Sequence, residues 1–280
     1  MVYDEMKYQR ELIGEMIGTL LLVLFGTGAV AVTTLFQAHQ GLFQMALVWG
    51  IGVSLAIYAT RHLSCAHLNP AVTLAMAASG RMLKRKVPAY IAGQLIGAFV
   101  AGLLIYFLFS DALGAFEISR GITRGSAESM ASARMFGEYY ISSGHGAIAD
   151  MVKAMTVEGI GTFLLVMMIF SLTEGCNLGR PHDHLAPLFI GLTVTALICL
   201  LAPLTQAGFN PARDLGPRMV ALIFGWGSAA FPDSQGGFIW VYVLAPILGG
   251  VAAGLFFTKV IESLMNRGTP DCGCGKSLEL

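Results

Sequence analysis

Two short blocks recur in this chain, and both carry groups that hydrogen-bond rather than react. His67-Leu68-Asn69-Pro70-Ala71 returns as Gly208-Phe209-Asn210-Pro211-Ala212. Glu15-Met16-Ile17-Gly18-Thr19 returns as Glu158-Gly159-Ile160-Gly161-Thr162. The blocks keep their order and nearly their spacing, and Gly97-Ala98 with Gly249-Gly250 continues the series. Asparagine is a favoured helix N-cap, and proline fits the first helical turn because its missing N–H has no helical partner there anyway. Each Asn-Pro-Ala box therefore predicts a helix start with an amide at its tip. Amides can recognise a passing oxygen by donating to it. No nucleophile–base pair, metal-ligand set or phosphate-cradling loop accompanies them, so the sequence predicts passage rather than catalysis: no catalytic residue, no metal and no cofactor.

The elements that must position these boxes follow from composition. Of 280 residues, 55% are hydrophobic and 12% charged, with a mean hydropathy of +0.69. A soluble domain carries roughly 25% charged residues, so most of this exterior is expected to face a lipid bilayer. The net charge is zero, which argues against nucleic acid, a partner that needs a basic face. Six runs are long enough to span, at 12–36, 42–60, 87–109, 155–172, 185–204 and 238–258. The first is too long for a signal-peptide core and has no cleavage site. Few charges fall inside the spans, notably Glu15 and Glu158. Small residues recur four apart, as in Gly14/Gly18, Gly93/Gly97 and Gly250/Gly254, a pattern that lets helices approach closely in lipid.

Two further apolar segments, 69–83 and 210–224, begin at the Asn-Pro-Ala boxes and are too short to cross. Ten to fourteen helical residues rise about 15–21 Å, half the hydrocarbon core. They read as half-helices that start in mid-membrane, preceded by irregular backbone that must line protein or a wet cavity. Three spans and one half-span per half place the second half upside down, and inverted repeats with broken helices put the functional site near the midplane. The predicted fold is an all-α membrane protein of six transmembrane helices plus two re-entrant half-helices in an inverted repeat. One channel domain covers 1–263, with repeats at about 11–109 and 151–263, an external loop at 110–150 and a cytoplasmic tail at 264–280. The basic cluster Arg81, Lys84, Arg85 and Lys86 places both termini in the cytoplasm, because short cytoplasmic loops carry the lysine and arginine excess.

These motifs resemble the major intrinsic protein (aquaporin) superfamily over about residues 10–263. The run Asn210-Pro211-Ala212-Arg213-Asp214-Leu215-Gly216-Pro217-Arg218 is similar to the glycerol-facilitator branch, as are 49–58, Lys84-Arg85-Lys86-Val87 and Leu185-Ala186-Pro187-Leu188. The resemblance implies a homotetramer with one pore per subunit in a plasma or inner membrane. It implies passive conduction of glycerol, water and similar small neutral solutes. It makes Asn69, Pro70, Ala71, Asn210, Pro211 and Ala212 the central pore motif, and Trp49, Ile198, Ala207 and Arg213 the selectivity filter. Glu15 and Glu158 would then hold the loops leading into the half-helices, His67 would present its backbone carbonyl to the pore, and Asp214 would be a supporting residue.

The filter departs from the branch. Glycerol channels typically have a glycine-like residue where Ile198 stands and phenylalanine where Ala207 stands. Histidine, usual in water channels, is absent at 198. The set is similar to nodulin-type plant channels, so a wider filter, for metalloid acids, lactic acid or dihydroxyacetone, is the alternative, with a mainly water-conducting channel as another. Tyr242-Val243 is a mixed signal between the branches.

Two half-helix tips bring about half a positive charge each to the centre. A cation within ~5 Å of both pays on the order of 3 kcal/mol at an effective dielectric of ~20, whereas a neutral solute pays nothing. Arg213 would offer fixed donors to hydroxyls and Trp49 a flat face to carbon; the alternatives are an Arg213–Asp214 ion pair and, for Trp49, packing against lipid or a helix. Glu15 and Glu158 could instead carry protons in a coupled transporter. Outside these positions, Cys199 adjoins a filter residue and is a candidate mercurial site. His182 and His184 lie in a loop that could sense pH or bind metal, with plain solvation as the simpler reading. Cys272 and Cys274 could bind a metal or oxidise, with spare thiols in a tail as the simpler reading.

Overall fold

The structure is a computed structural model that describes residues 2–140, 146–232 and 236–265, with backbone alone for 2–7. Cys272 and Cys274 lie outside the described residues. All regular structure there is helical: α1 (Val2–Phe36), α2 (Leu42–Thr60), α3 (Pro70–Ala78), α4 (Val87–Ser119), the short α5 (Met130–Ala133), α6 (Ala147–Thr173), α7 (Ala186–Thr205), α8 (Pro211–Ala221) and α9 (Gly237–Met265). Six of these, α1, α2, α4, α6, α7 and α9, are long and apolar enough to cross a membrane. Lys86 pairs with Glu11 near the start of α1, and Arg81, five residues before it, pairs with Glu262 near the end of α9, so both ends lie on one face, hereafter the terminal face.

The two half-helices form as their first residues dictate. Asn69 and Asn210 have extended backbones, and each side-chain oxygen accepts an N–H of the first turn: Ala71 at 2.8 Å, and Ala212 and Arg213 at 3.1 and 3.2 Å. α3 is shorter than the expected 69–83. Gly80 adopts φ +74°, and the Arg81 N–H reaches back to the Met76 carbonyl at 2.9 Å, a Schellman stop that Ser79-Gly80 signals. α8 ends at Ala221, followed by a wide turn that breaks at Phe224 and Gly225. α4 runs ten residues past the expected boundary at 109, to Ser119, and α6 starts at Ala147, so both ends of the segment expected as the loop 110–150 are helical. Composition marks where a span enters lipid, and not where its backbone stops hydrogen-bonding.

Packing shows the inversion. α1 packs on α2 and α4, and α6 packs in the same way on α7 and α9. α2 and α7 pack on each other. Each half-helix leans on the third span of the other half, α3 on α9 and α8 on α4. The repeated glycines sit at these seams. A Cβ on Gly97 would strike the Met16 carbonyl, and one on Gly249 would strike the Gly159 backbone. Large apolar side chains such as Phe107, Leu108, Leu200 and Leu248 point outward, as a lipid-facing surface requires.

Candidate functional site

The loops before the two half-helices are strained in the same way. Cys65, Ala66 and Leu68 have φ of 42°, 51° and 53°; Gln206, Ala207 and Phe209 have 64°, 63° and 52°. Left-handed backbone costs a non-glycine residue roughly 1–2 kcal/mol and breaks the helical bonding pattern. A buried carboxylate compensates each loop. The Glu15 oxygens accept the Ser64 hydroxyl at 2.6 Å, the His67 and Leu68 N–H groups at 2.9 and 2.7 Å, and the Gln94 amide at 2.7 Å. The Glu158 oxygens accept the Thr205 hydroxyl at 2.6 Å and the Gly208 and Phe209 N–H groups at 3.0 and 2.8 Å. The Tyr242 hydroxyl adds a bond to the Thr205 carbonyl at 3.0 Å. The glycine three places after each glutamate completes the cradle. A Cβ on Gly18 would enter the Leu68 side chain, and one on Gly161 would enter the Phe209 ring.

Held in this way, the half-helices meet tip to tip. The Asn69 amide donates to the Phe209 carbonyl at 2.8 Å, and the Asn210 amide donates to the Leu68 carbonyl at 2.7 Å. Both asparagines line a cavity of about 330 Å³ that begins near Arg61, Arg81 and Thr173 on the terminal face. His67 lines it too; its ring is held by the Thr73 hydroxyl at 3.3 Å and lies 4.8 Å from the Tyr90 ring. A second cavity of about 180 Å³ lies toward the opposite face, bordered by Val30, Met45, Glu138 and Gln206. Four residues line both cavities and so form the septum between them: Trp49, Ile198, Ala207 and Arg213.

Each septum residue comes from a different element. Trp49 on α2 lies flat against Gly26 of α1, where a Cβ would overlap the ring. Ile198 faces it from α7, Ala207 from the strained loop and Arg213 from the first turn of α8. The Arg213 guanidinium carbon sits 4.3 Å from the centre of the Trp49 ring, so the arginine stacks on that face.

The ion pair considered for Arg213 with Asp214 does not form. Asp214 binds Arg218 instead, at 2.5 and 3.0 Å, because residues four apart share a helix face and adjacent ones do not. Arg213 pairs with Glu138, a buried residue of the segment between α5 and α6. Asp214 accepts the Glu138 N–H at 2.8 Å, and Arg218 donates to the Glu138 carbonyl at 2.7 Å and the Ala230 carbonyl at 2.5 Å. The Asp214–Arg218 pair thus fixes the backbone that delivers Glu138. Sequence reasoning missed Glu138 because it belongs to neither repeat and no local pattern marks it.

Cys199 lines neither cavity and packs among apolar side chains, whereas the exposed Cys65 lines the larger one. The His182 and His184 rings stack at 5.0 Å on a loop tied to α2 by Arg61 and Tyr58, which donate to the carbonyls of Asp183 and His184.

Residues 3–257 match the family model described as Major intrinsic protein. The chain is 39% identical to the glycerol uptake facilitator protein of Pseudomonas aeruginosa over 92% of its own length and 91% of that protein. It is 37% identical to the propanediol uptake facilitator of Salmonella typhimurium, over 88% and 92% of the two chains. The X-ray structure of the aquaglyceroporin from Plasmodium falciparum superimposes with a TM-score of 0.79 at 29% identity, covering 93% of this chain and all of that one.

Proposed function

Because the chain belongs to the major intrinsic protein family, we propose that its two cavities are the halves of one pore and that the septum between them is its selectivity filter. The chain is a multi-pass membrane channel, not an enzyme, and it conducts glycerol and other small uncharged solutes with some water. The observation that carries the pore reading is the septum itself: Trp49, Ile198, Ala207 and Arg213 are common to both cavities, and Asn69 and Asn210 line the larger one behind them. A solute crossing between the cavities must pass those four side chains.

Selection follows from the groups on this path. Arg213 supplies fixed N–H donors to hydroxyl oxygens, and Trp49, Ile198 and Ala207 offer apolar contact to the carbon side of the same molecule. Each asparagine amide carries two N–H donors, of which one is spent between the half-helices. The other is left for an oxygen in transit. Donors from both repeats turn a central water outward in both directions and so interrupt a proton-conducting chain, while the two helix tips repel cations.

The basic residues Arg61, Arg81, Lys84, Arg85 and Lys86 on the terminal face support an orientation with both termini in the cytoplasm of an inner or plasma membrane. On this reading the repeats at about 11–109 and 151–263 act as one domain, 264–280 is a cytoplasmic tail, and four copies form a homotetramer with a pore in each. The small side chain of Ala207 favours a second reading within the same class, a wider filter that admits lactic acid, metalloid acids or dihydroxyacetone.

A stopped-flow panel on the purified chain in liposomes tests the proposal with water, glycerol, urea and lactic acid. Swelling in glycerol is expected to be fast and weakly temperature-dependent. Swelling no faster than in protein-free vesicles removes the channel reading, and lactic acid outpacing glycerol selects the wider filter.

A further inference from the structure

Arg213 and Glu138 are both buried, with side chains 6% and 2% exposed, and they pair directly at the outer side of the septum. The neighbouring charges are already committed. Asp214 and Arg218 neutralise each other, and Glu158 is bound by the loop before Asn210. Glu138 is therefore the acidic side chain, among the described residues, that balances the filter arginine. It also borders the 180 Å³ outer cavity together with Arg213.

We propose that Glu138 sets the charge discrimination of the pore: it converts a cationic entrance into a neutral couple of one acceptor and several donors, which admits uncharged polyols and refuses small anions. The proposal deepens the channel reading above and rests on it. A guanidinium without its carboxylate is an anion site, because sulfonate, carboxylate and phosphate oxygens match its paired N–H groups. Removing one member of a buried ion pair leaves the other uncompensated, and that charge recruits a counter-ion from solution. In a channel for neutral molecules an anion lodged in the filter is a plug. The couple prevents this. One guanidinium nitrogen is held by Glu138, the carboxylate repels a second anion, and the same guanidinium borders the cavities that hydroxyl oxygens would enter. The adjacent carboxylate oxygen can accept a hydroxyl proton, so a vicinal diol meets donor and acceptor side by side.

The experiment is glycerol flux through the full chain in liposomes, with methanesulfonate added outside. This anion is small enough for the outer cavity and stays charged throughout the working pH range. Wild-type flux is expected to be indifferent to tens of millimolar methanesulfonate. Glu138→Gln and Glu138→Ser are each expected to become inhibitable, with a half-inhibitory concentration at least tenfold below wild type, and Glu138→Asp is expected to restore indifference. Glycerol flux in Glu138→Gln or Glu138→Ser that is as indifferent as in wild type overturns the proposal. So does wild-type flux that is itself blocked at low millimolar methanesulfonate, a measurement that holds even if the variants fail to assemble. Absence of wild-type glycerol flux would instead strike the channel reading.

Discussion

At the scale of single residues, the septum turns on what each side chain leaves open. Ala207 is the smallest of the four, and a phenylalanine there would project from the strained loop into the passage between the cavities. Ala207→Phe is expected to reduce flux of dihydroxyacetone and four- or five-carbon polyols at least fivefold while glycerol flux falls less. Unchanged flux of the larger solutes would show that position 207 does not border the path. Glu15 separates a channel from a proton-coupled transporter. Its oxygens accept four hydrogen bonds, two of them from loop N–H groups. Glutamine turns one acceptor oxygen into a donor facing donors, a loss of about 2–3 kcal/mol for buried charge-assisted bonds. Glu15→Gln should therefore lower the melting temperature and the number of active channels, with no pH dependence of flux in either protein. A pH-driven accumulation of glycerol that this variant abolishes would restore the transporter alternative. The boxes and the four positions that form the septum could be named from the sequence because duplication and family resemblance mark them. Glu138 could not, because its role comes from a contact between a loop and α8 that leaves no periodicity or repeat in the sequence.

At the scale of elements, the six crossings and both half-helix starts were legible because each depends on local rules: length of apolar run, asparagine as cap, proline after it. The ends were less so. Gly80 stops α3 through its left-handed backbone, and the same turn places Arg81 where it lies over Phe170 and Phe257, at 4.8 and 5.7 Å, and pairs with Glu174 and Glu262 at 2.5 and 2.7 Å. One residue thus staples the foot of α3 to the ends of α6 and α9, at the mouth of the larger cavity. Two partly exposed ion pairs and a cation–π contact together are worth about 2 kcal/mol. Arg81→Ala is expected to lower thermal stability by that order. Burial works to raise the Glu174 carboxyl, but the hydrogen bond from Arg81 and nearby backbone N–H groups outweigh it and hold it below its ordinary value of 4.5. A carboxyl held low contributes stability above its unfolded value and loses it as pH falls through the folded one. The difference between wild type and Arg81→Ala should therefore stay level from pH 7 to 5 and shrink below pH 4.5. A difference that persists undiminished at pH 3.5 would mean that Glu174 is not the partner that matters.

At the scale of the whole molecule, the inverted repeat makes two nearly equivalent halves, and function depends on how they differ. Before Asn210 the loop position facing the septum is Ala207; before Asn69 the corresponding strained loop presents Ala66 and, beside it, Cys65. The septum arginine Arg213 has no counterpart in α3, where the third residue is Val72. The proposed pore is consequently closed down beside Arg213 on one side and opens into the larger cavity on the other, so a probe too large or too charged for the septum should reach Cys65 from the terminal face alone. This gives a direct test of orientation. In a chain whose other cysteines, Cys176, Cys199, Cys272 and Cys274, are replaced by serine, a positively charged methanethiosulfonate reagent is expected to cut glycerol flux severalfold when sealed inside right-side-out vesicles. Applied outside, it should have little effect, because the Arg213–Trp49 septum and the two helix tips stand between it and the thiol. Block from outside alone would invert the proposed orientation and put both termini on the external side. Equal block from both sides would mean that the septum is not the narrow point of the path, and the four-residue filter would have to be abandoned with it.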